Sequence, residues 1–269
     1  MTTPALAPLL RALALVLTLP AATIANAQEA LPDLHGRKVV VAVENAYPPL
    51  QFLDKSGAAV GWEYEAMAEI ARRLNLSVSY ESVSWDAMIA AVSSGQYDIG
   101  MEGITITEER MEKVDFSAPY MRSEMLMIAR GDETRFTDAA SFAADPKLLI
   151  AAQPGTSPFY AAVYSILDGN EDTPRILRFE TFGAGLQALK VGDVDLTLSD
   201  STAANGYVAA SGGALKIVGE PLAAEDFGFI FAKGSDLVEP IDAAIDQMMV
   251  DGTLTALNKK WFLDYRMGE

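Results

Sequence analysis

Gly95-Gln96-Tyr97-Asp98-Ile99-Gly100-Met101-Glu102-Gly103-Ile104-Thr105 and, 97 residues later, Gly192-Asp193-Val194-Asp195-Leu196-Thr197-Leu198-Ser199-Asp200-Ser201-Thr202 share one plan. In each, a glycine closes a helical stretch, an aspartate follows three residues on, and an apolar run ends in a polar cluster. Any helix-to-strand turn can use Gly and Asp, so the turn alone says little. Both strands, however, run into polar side chains, and ligands of open α/β sheets sit outside the carboxyl ends of the strands. Two lobes facing each other across such ends would enclose a cleft.

Outward from these repeats, strand patterns are expected at residues 38–43, 77–83, 97–101, 148–152, 175–179, 194–198 and 227–232. Helical spacing is expected over 64–74, 85–92, from about 157, and over 182–190, 237–250 and 254–262. In the first helix, acidic Glu63 and Glu65 come early and Arg72 and Arg73 late, which suits the helix dipole. This alternation predicts an α/β protein with largely parallel sheets.

The chain has 269 residues, enough for one large domain or two ordinary ones, and its 20 Lys+Arg against 37 Asp+Glu give a net charge of −17. Nucleic acid and anionic membrane surfaces are disfavoured as partners, because both need a basic patch. With one His and no Cys, thiolate nucleophiles, disulfides and the usual zinc ligand sets are excluded, and no metal or cofactor is expected. His35 reads as a surface residue, and Asp98 and Asp195 as turn residues. At the N-terminus, Arg11, the apolar run 12–19, Pro20 and Ala25-Asn26-Ala27 follow the order of a secretory signal cleaved after Ala27. That run is short of the roughly 20 residues needed to span a bilayer. A soluble, exported protein beginning at Gln28 is expected.

Several segments resemble the periplasmic solute-binding proteins of polar amino-acid ABC transporters (bacterial extracellular solute-binding protein family 3). They are Glu44-Asn45-Ala46-Tyr47-Pro48-Pro49, Gly61-Trp62-Glu63-Tyr64, Ser84-Trp85-Asp86, Gly103-Ile104-Thr105-Ile106-Thr107-Glu108-Glu109-Arg110 and Val114-Asp115-Phe116-Ser117-Ala118-Pro119-Tyr120. Gln153-Pro154-Gly155-Thr156, Val218-Gly219-Glu220-Pro221, Asp251-Gly252-Thr253-Leu254 and Lys260-Trp261-Phe262 follow in the family's order. The resemblance implies a two-lobed periplasmic-binding-protein fold, each lobe a mostly parallel sheet flanked by helices, joined by two hinge crossovers. Lobe 1 would take residues 28–122 and 225–269, and lobe 2 residues 123–224. It implies a periplasmic monomer that binds an amino acid and delivers it to a membrane permease, without chemistry.

By the same resemblance, Arg110 stands where the family's arginine takes the ligand's α-carboxylate, and a guanidinium fork matches two carboxylate oxygens. Gly155, Thr156 and Ser157 open a helix after a strand, a turn that aims backbone amides at an anion and equally offers a plain N-cap. Asp200 resembles the family's acceptor for the α-ammonium, with Thr105 and the Gly103 carbonyl, and reads also as an N-cap. Tyr47 and Trp85 match the aromatic walls around the side chain, where core packing is the plainer role. Glu44 matches an acid found in some relatives for a basic side chain, and Glu102 stands where many relatives have a small residue. Two such carboxylates favour a cationic ligand of the arginine, lysine or ornithine kind. Two other classes stay open: a dehydratase on the same scaffold with Glu102 as general acid, and a sensory partner presenting its closed form to a receptor.

Overall fold

A computed structural model describes Met1 and residues 30–266, so the expected export signal at 1–27 lies outside the described residues apart from Met1. Residues 31–266 form one compact unit.

In chain order this unit begins with β1 (Arg37–Val43), β2 (Ala46–Tyr47), β3 (Gln51–Leu53), β4 (Ala59–Val60), α1 (Trp62–Leu74), β5 (Leu76–Ser82) and α2 (Trp85–Ser93). β6 (Ile99–Gly100), α3 (Glu108–Met111), β7 (Asp115–Phe116), β8 (Met121–Arg130), α4 (Ala139–Ala144), β9 (Ile150–Ala152) and α5 (Ser157–Ala161) follow. After these come β10 (Ile176–Arg178), α6 (Phe182–Val191), β11 (Leu196–Asp200), α7 (Ser201–Ala210) and β12 (Leu215–Val218). The chain returns through β13 (Ala224–Phe227) and β14 (Ile230–Phe231) to α8 (Val238–Val250) and α9 (Thr253–Asn258).

Two sheets organise the molecule. The first has the order β5-β1-β6-β14-β7, and the second the order β10-β9-β11-β8-β12 with β13 also on β8. Each sheet joins parallel pairs, β1 with β5 and β6, β9 with β10 and β11, to antiparallel returning strands. Helices cover both faces of each sheet. Val39, Val41 and Val43 of β1 face a core with α1, α8 and α9, while Ala42 faces α2 through Met88 and Val92. In the second sheet, Met125, Met127 and Ala129 pack with Phe142 and Phe159, while Leu126 and Ile128 pack with Leu186, Leu189 and Ala204. α1 follows from its spacing, since Trp62, Ala66, Met67, Ile70 and Leu74 all turn inward, and it stops at left-handed Asn75.

The 97-residue echo has a physical basis. Asp98 accepts a 2.8 Å hydrogen bond from the Val40 amide, and Asp195 a 2.9 Å bond from the Leu149 amide. Each aspartate ties the helix-to-strand turn to a neighbouring strand at the same place in its own sheet.

Several expectations are corrected. Met125-Leu126-Met127, where no strand is expected above, lies in the ten-residue strand β8, whose burial on both faces there produces an unbroken apolar run rather than alternation. The expected strand at 227–232 divides at Gly228 into β13 and β14. The strand expected at 194–198 is Leu196–Asp200, which makes Asp200 its last residue, and that expected at 97–101 shrinks to Ile99–Gly100.

Candidate functional site

One cavity, with about 690 Å³ of space unfilled by atoms, lies between residues of the two sheets. Glu44, Tyr47, Trp85, Glu102, Gly103, Thr105, Arg110, Thr156, Ser157 and Asp200 all line it. Gly155, the eleventh residue singled out from sequence, does not line it, but its carbonyl accepts a 3.1 Å bond from Arg110.

Arg110 sits on the single-turn helix α3, where Thr107 caps the start by accepting from the Arg110 amide at 3.2 Å. Its guanidinium also donates to the Thr105 carbonyl at 2.9 Å, and its Cζ lies 5.1 Å from the centre of the Trp85 ring. The side chain is buried, and desolvation lowers its pKa while the Glu225 charge opposes that shift. Among the described residues no carboxylate lies within ion-pair distance of it, so its charge remains available to an anion. Trp85 thus serves less as a free-standing wall than as a plate under the arginine.

Asp200 fills the N-cap role and lines the cavity. One carboxylate oxygen caps α7, accepting from the Thr202 and Ala203 amides, and the other accepts from the Tyr47 hydroxyl. Tyr47 also pairs with Ser199 at 2.9 Å and meets Phe182 edge to face at 5.7 Å. Burial pushes the Tyr47 phenol well above its usual pKa, so it stays a neutral donor. Thr156 caps α5 through the Phe159 amide and donates its hydroxyl to the Gln153 carbonyl.

The acid pair forms a separate group. The Glu44 amide donates to Glu102 Oε2 at 2.9 Å, while Glu102 Oε1 is buried without a hydrogen-bond partner. Burial, then the charges of Glu44 and Glu63, raise the Glu102 pKa well above the usual carboxylate value. The Glu44 carboxylate accepts from Gln153 at 3.1 Å and from the Trp85 amide at 3.3 Å, and burial raises its pKa too.

Beneath this loop lies Glu63, fully buried, which accepts from the Gly103 amide at 2.9 Å, from Gln51 at 3.0 Å and from the Tyr120 hydroxyl. Gly103 itself has φ 58°, and a Cβ there would stand 2.7 Å from Leu50 Cδ1, so glycine is favoured at this turn.

Sequence reasoning missed two contributors. Gln153, seen only as part of a motif, bridges Glu44 and the Glu180 carbonyl. Glu225 was passed over as a boundary residue, yet it is buried in the cavity, accepting from Thr105 Oγ1 at 3.3 Å and from the Ser157 hydroxyl. A charged residue inside an otherwise β-like run, just before Phe227-Gly228-Phe229, was the available signal.

These acids make stability depend on pH in a definite direction. Glu44, Glu63, Glu102 and Glu225 all have folded pKa values above the usual 4.5, first through desolvation, and Glu225 reaches about 7. The folded state therefore binds more protons than the unfolded one, and stability falls as pH rises from about 4.5 towards 7. Ion-paired Glu69, Glu133 and Asp251, each lowered to about 2, act oppositely and lose their contribution only as pH falls below about 4. Thermal unfolding of the protein without added ligand should give a midpoint at pH 5 at least about 5 °C above that at pH 8. A flat profile would mean that these carboxyls are ionised in the fold.

The profile of bacterial extracellular solute-binding proteins, family 3, matches residues 39–264. The chain is 30% identical over 226 residues to the L-cystine-binding protein TcyJ of Escherichia coli (strain K12), covering 83% of this chain and 82% of that protein. It is 31% identical over 227 residues to the L-cystine-binding protein TcyA of Bacillus subtilis (strain 168), covering 83% and 81%. Among solved structures, the arginine-, lysine-, histidine-binding protein ArtJ of Geobacillus stearothermophilus superposes with TM-score 0.77 at 29% identity, over 84% of this chain and 95% of that one. The ancestral amino acid-binding protein AncCDT-1, a precursor of cyclohexadienyl dehydratase, gives 0.76 at 30% over the same shares. The chain belongs to family 3 of the bacterial extracellular solute-binding proteins, which serve amino-acid ABC transporters.

Proposed function

We propose that the protein captures, in the periplasm, an amino acid whose side chain carries a second positive charge, of the arginine, lysine or ornithine kind, and delivers it to a permease. Two lobes, meeting at 122/123 and 224/225, would close over it by hinge motion. In this reading Arg110 takes the α-carboxylate, with the 155–157 turn on the other side, while Asp200, Thr105 and the Gly103 carbonyl take the α-ammonium. Tyr47 and Trp85 enclose the stem. The observation that carries the charge preference is the imbalance of the cavity: Glu44, Glu102, Asp200 and Glu225 line it against Arg110 as the single cation. A zwitterion uses one charge of each sign, which leaves the Glu44 and Glu102 pair for a cation.

Cystine is the second reading, favoured by the cystine-binding relatives and by one feature. An adjoining cavity shares Glu44, Trp85, Gln153 and Thr181 with the first and adds Arg178, which suits a second carboxylate. Cystine's second ammonium would then use the acid pair. The dehydratase alternative would place the acting proton on Glu102 and requires turnover of a cyclohexadienyl precursor.

Thermal unfolding of residues 28–269, refolded to strip carried ligand, against the common amino acids, cystine, polyamines and betaines tests these readings. A ligand at 100 times Kd adds about 2.7 kcal/mol, roughly 5 to 10 °C here. Shifts confined to arginine, lysine or ornithine support the first reading, and a shift with cystine alone supports the second. Shifts with neutral amino acids would remove the acid pair from ligand recognition. Glu44→Gln with Glu102→Gln should weaken arginine at least about tenfold by calorimetry, since a charged hydrogen bond contributes about 1.5–3 kcal/mol. Unchanged arginine affinity in that variant would sink the charge assignment.

A further inference from the structure

We propose that Glu225 is an additional acceptor for the ligand's α-ammonium, reaching the cavity from the returning crossover strand, and that ammonium binding there expels a proton to solvent. The proposal rests on the amino-acid reading above.

Glu225 lies on β13, opposite Ser123 of β8 in register, so it approaches the cavity from the ribbon between the two sheets. Its carboxyl bonds Thr105, which belongs with the first sheet, and Ser157, at the start of α5 beside the second.

Around the Glu225 carboxyl, from the loop before α3 comes Thr105 Oγ1 at 3.3 Å; from α3, the Arg110 charge; from β2, the Tyr47 phenol; from α5, the Ser157 hydroxyl; and from β11, the Asp200 carboxylate. Glu44 and Glu102 line the same cavity but are hydrogen-bonded to other groups. Among the described residues no ammonium or guanidinium lies within ion-pair distance of Glu225, and the Arg110 guanidinium, whose charge still acts on it, is bonded to two carbonyls. A buried acid beside a second acid, with hydroxyl donors but no cation in direct contact, has room for one. An α-ammonium held by Asp200 and Thr105 stands next to both acids and supplies it.

Burial first, then the Asp200 charge, push the Glu225 pKa up to about 7, so this carboxyl gains or loses its proton near neutral pH. The neutral carboxyl plus an ammonium becomes a carboxylate–ammonium pair plus one free proton. Affinity must then fall as pH drops below 7, because the proton competes with the ligand.

The experiment is titration calorimetry with arginine, lysine, ornithine and cystine, run in phosphate and in Tris at pH 7, buffers with very different ionisation heats. The wild type should release about 0.5 proton per ligand, as expected for a group with pKa near the working pH. Glu225→Gln should lose that release and bind roughly 10- to 100-fold more weakly at pH 8. Its Kd should also stay flat from pH 7.5 to 5.5, where the wild-type Kd rises severalfold or more. In Glu44→Gln with Glu102→Gln the release should persist, which assigns the proton to Glu225. Equal proton release in Glu225→Gln and wild type, or a Kd within threefold of wild type at pH 8, would overturn the proposal. Buffer-independent heat in the wild type would do so even if the Gln variant failed to fold. No heat from any of the four amino acids would overturn the reading on which it rests.

Discussion

Arg110→Met should weaken binding of every α-amino acid by at least about 10²-fold, and toward 10³-fold if the carboxylate is fully enclosed. Methionine keeps an unbranched apolar stem against Trp85 and removes only the fork. The loss is large for two reasons. The carboxylate loses a charged pair, and it must still be desolvated on entering a cavity where Glu44, Glu102, Asp200 and Glu225 repel it. Stability should change much less, because the guanidinium's partners in the fold are two carbonyls, at Thr105 and Gly155, and one ring. Arg110→Lys should fall between, keeping charge but losing the two-pronged geometry. Calorimetry with the best ligand of the thermal panel measures all three. Binding by Arg110→Met within threefold of the parent would remove Arg110 from the carboxylate site.

Glu63→Ala should cost about 3–5 kcal/mol of stability, because it leaves two buried donors, the Gly103 amide and the Tyr120 hydroxyl, without an acceptor, takes from the Gln51 side-chain amide one of its two acceptors, the Met101 carbonyl remaining, and leaves a hole beneath the site. Trp62 stacks on Tyr120 at 5.1 Å and Phe229 packs on it at 4.5 Å, so the loss loosens the aromatic centre of this core as well. A midpoint drop of about 6 °C or more is expected in thermal unfolding. Glu63→Gln should be milder, near 1 kcal/mol, because its carbonyl can still accept while its amide faces the Gln51 amide. Ligand affinity should fall in Glu63→Ala too, since the Gly103 turn would lose its anchor. A midpoint within 2 °C of wild type would mean that water reaches these donors.

How far the sequence disclosed this arrangement depended on the kind of signal. The elements could be anticipated where strands alternate with amphipathic helices, as at β1, α1 and β5, because hydrophobic periodicity is local. β8 was hidden for the opposite reason: over residues 125–129 it is buried on both faces and shows no alternation, and Met125-Leu126-Met127 fits several structures equally. Arg110 and Asp200 were found because motif spacing marks them. Glu225 was not, because what brings it to the cavity is an antiparallel pairing between residues more than 100 positions apart in sequence. The direction of Glu102 was equally out of reach, since it is fixed by one long-range bond from the Glu44 amide.

The pairing of β13 with β8 has a mechanical consequence. Four residue pairs, from Ala224 with Glu124 to Phe227 with Met121, hold the two passages between the sheets side by side. Sliding one passage along the other would break this register at every pair at once, whereas bending or twisting the ribbon keeps it. The soft coordinate of the molecule is therefore a rotation, with translation of one half past the other stiff. Cargo loading and unloading would follow one angular path in both directions.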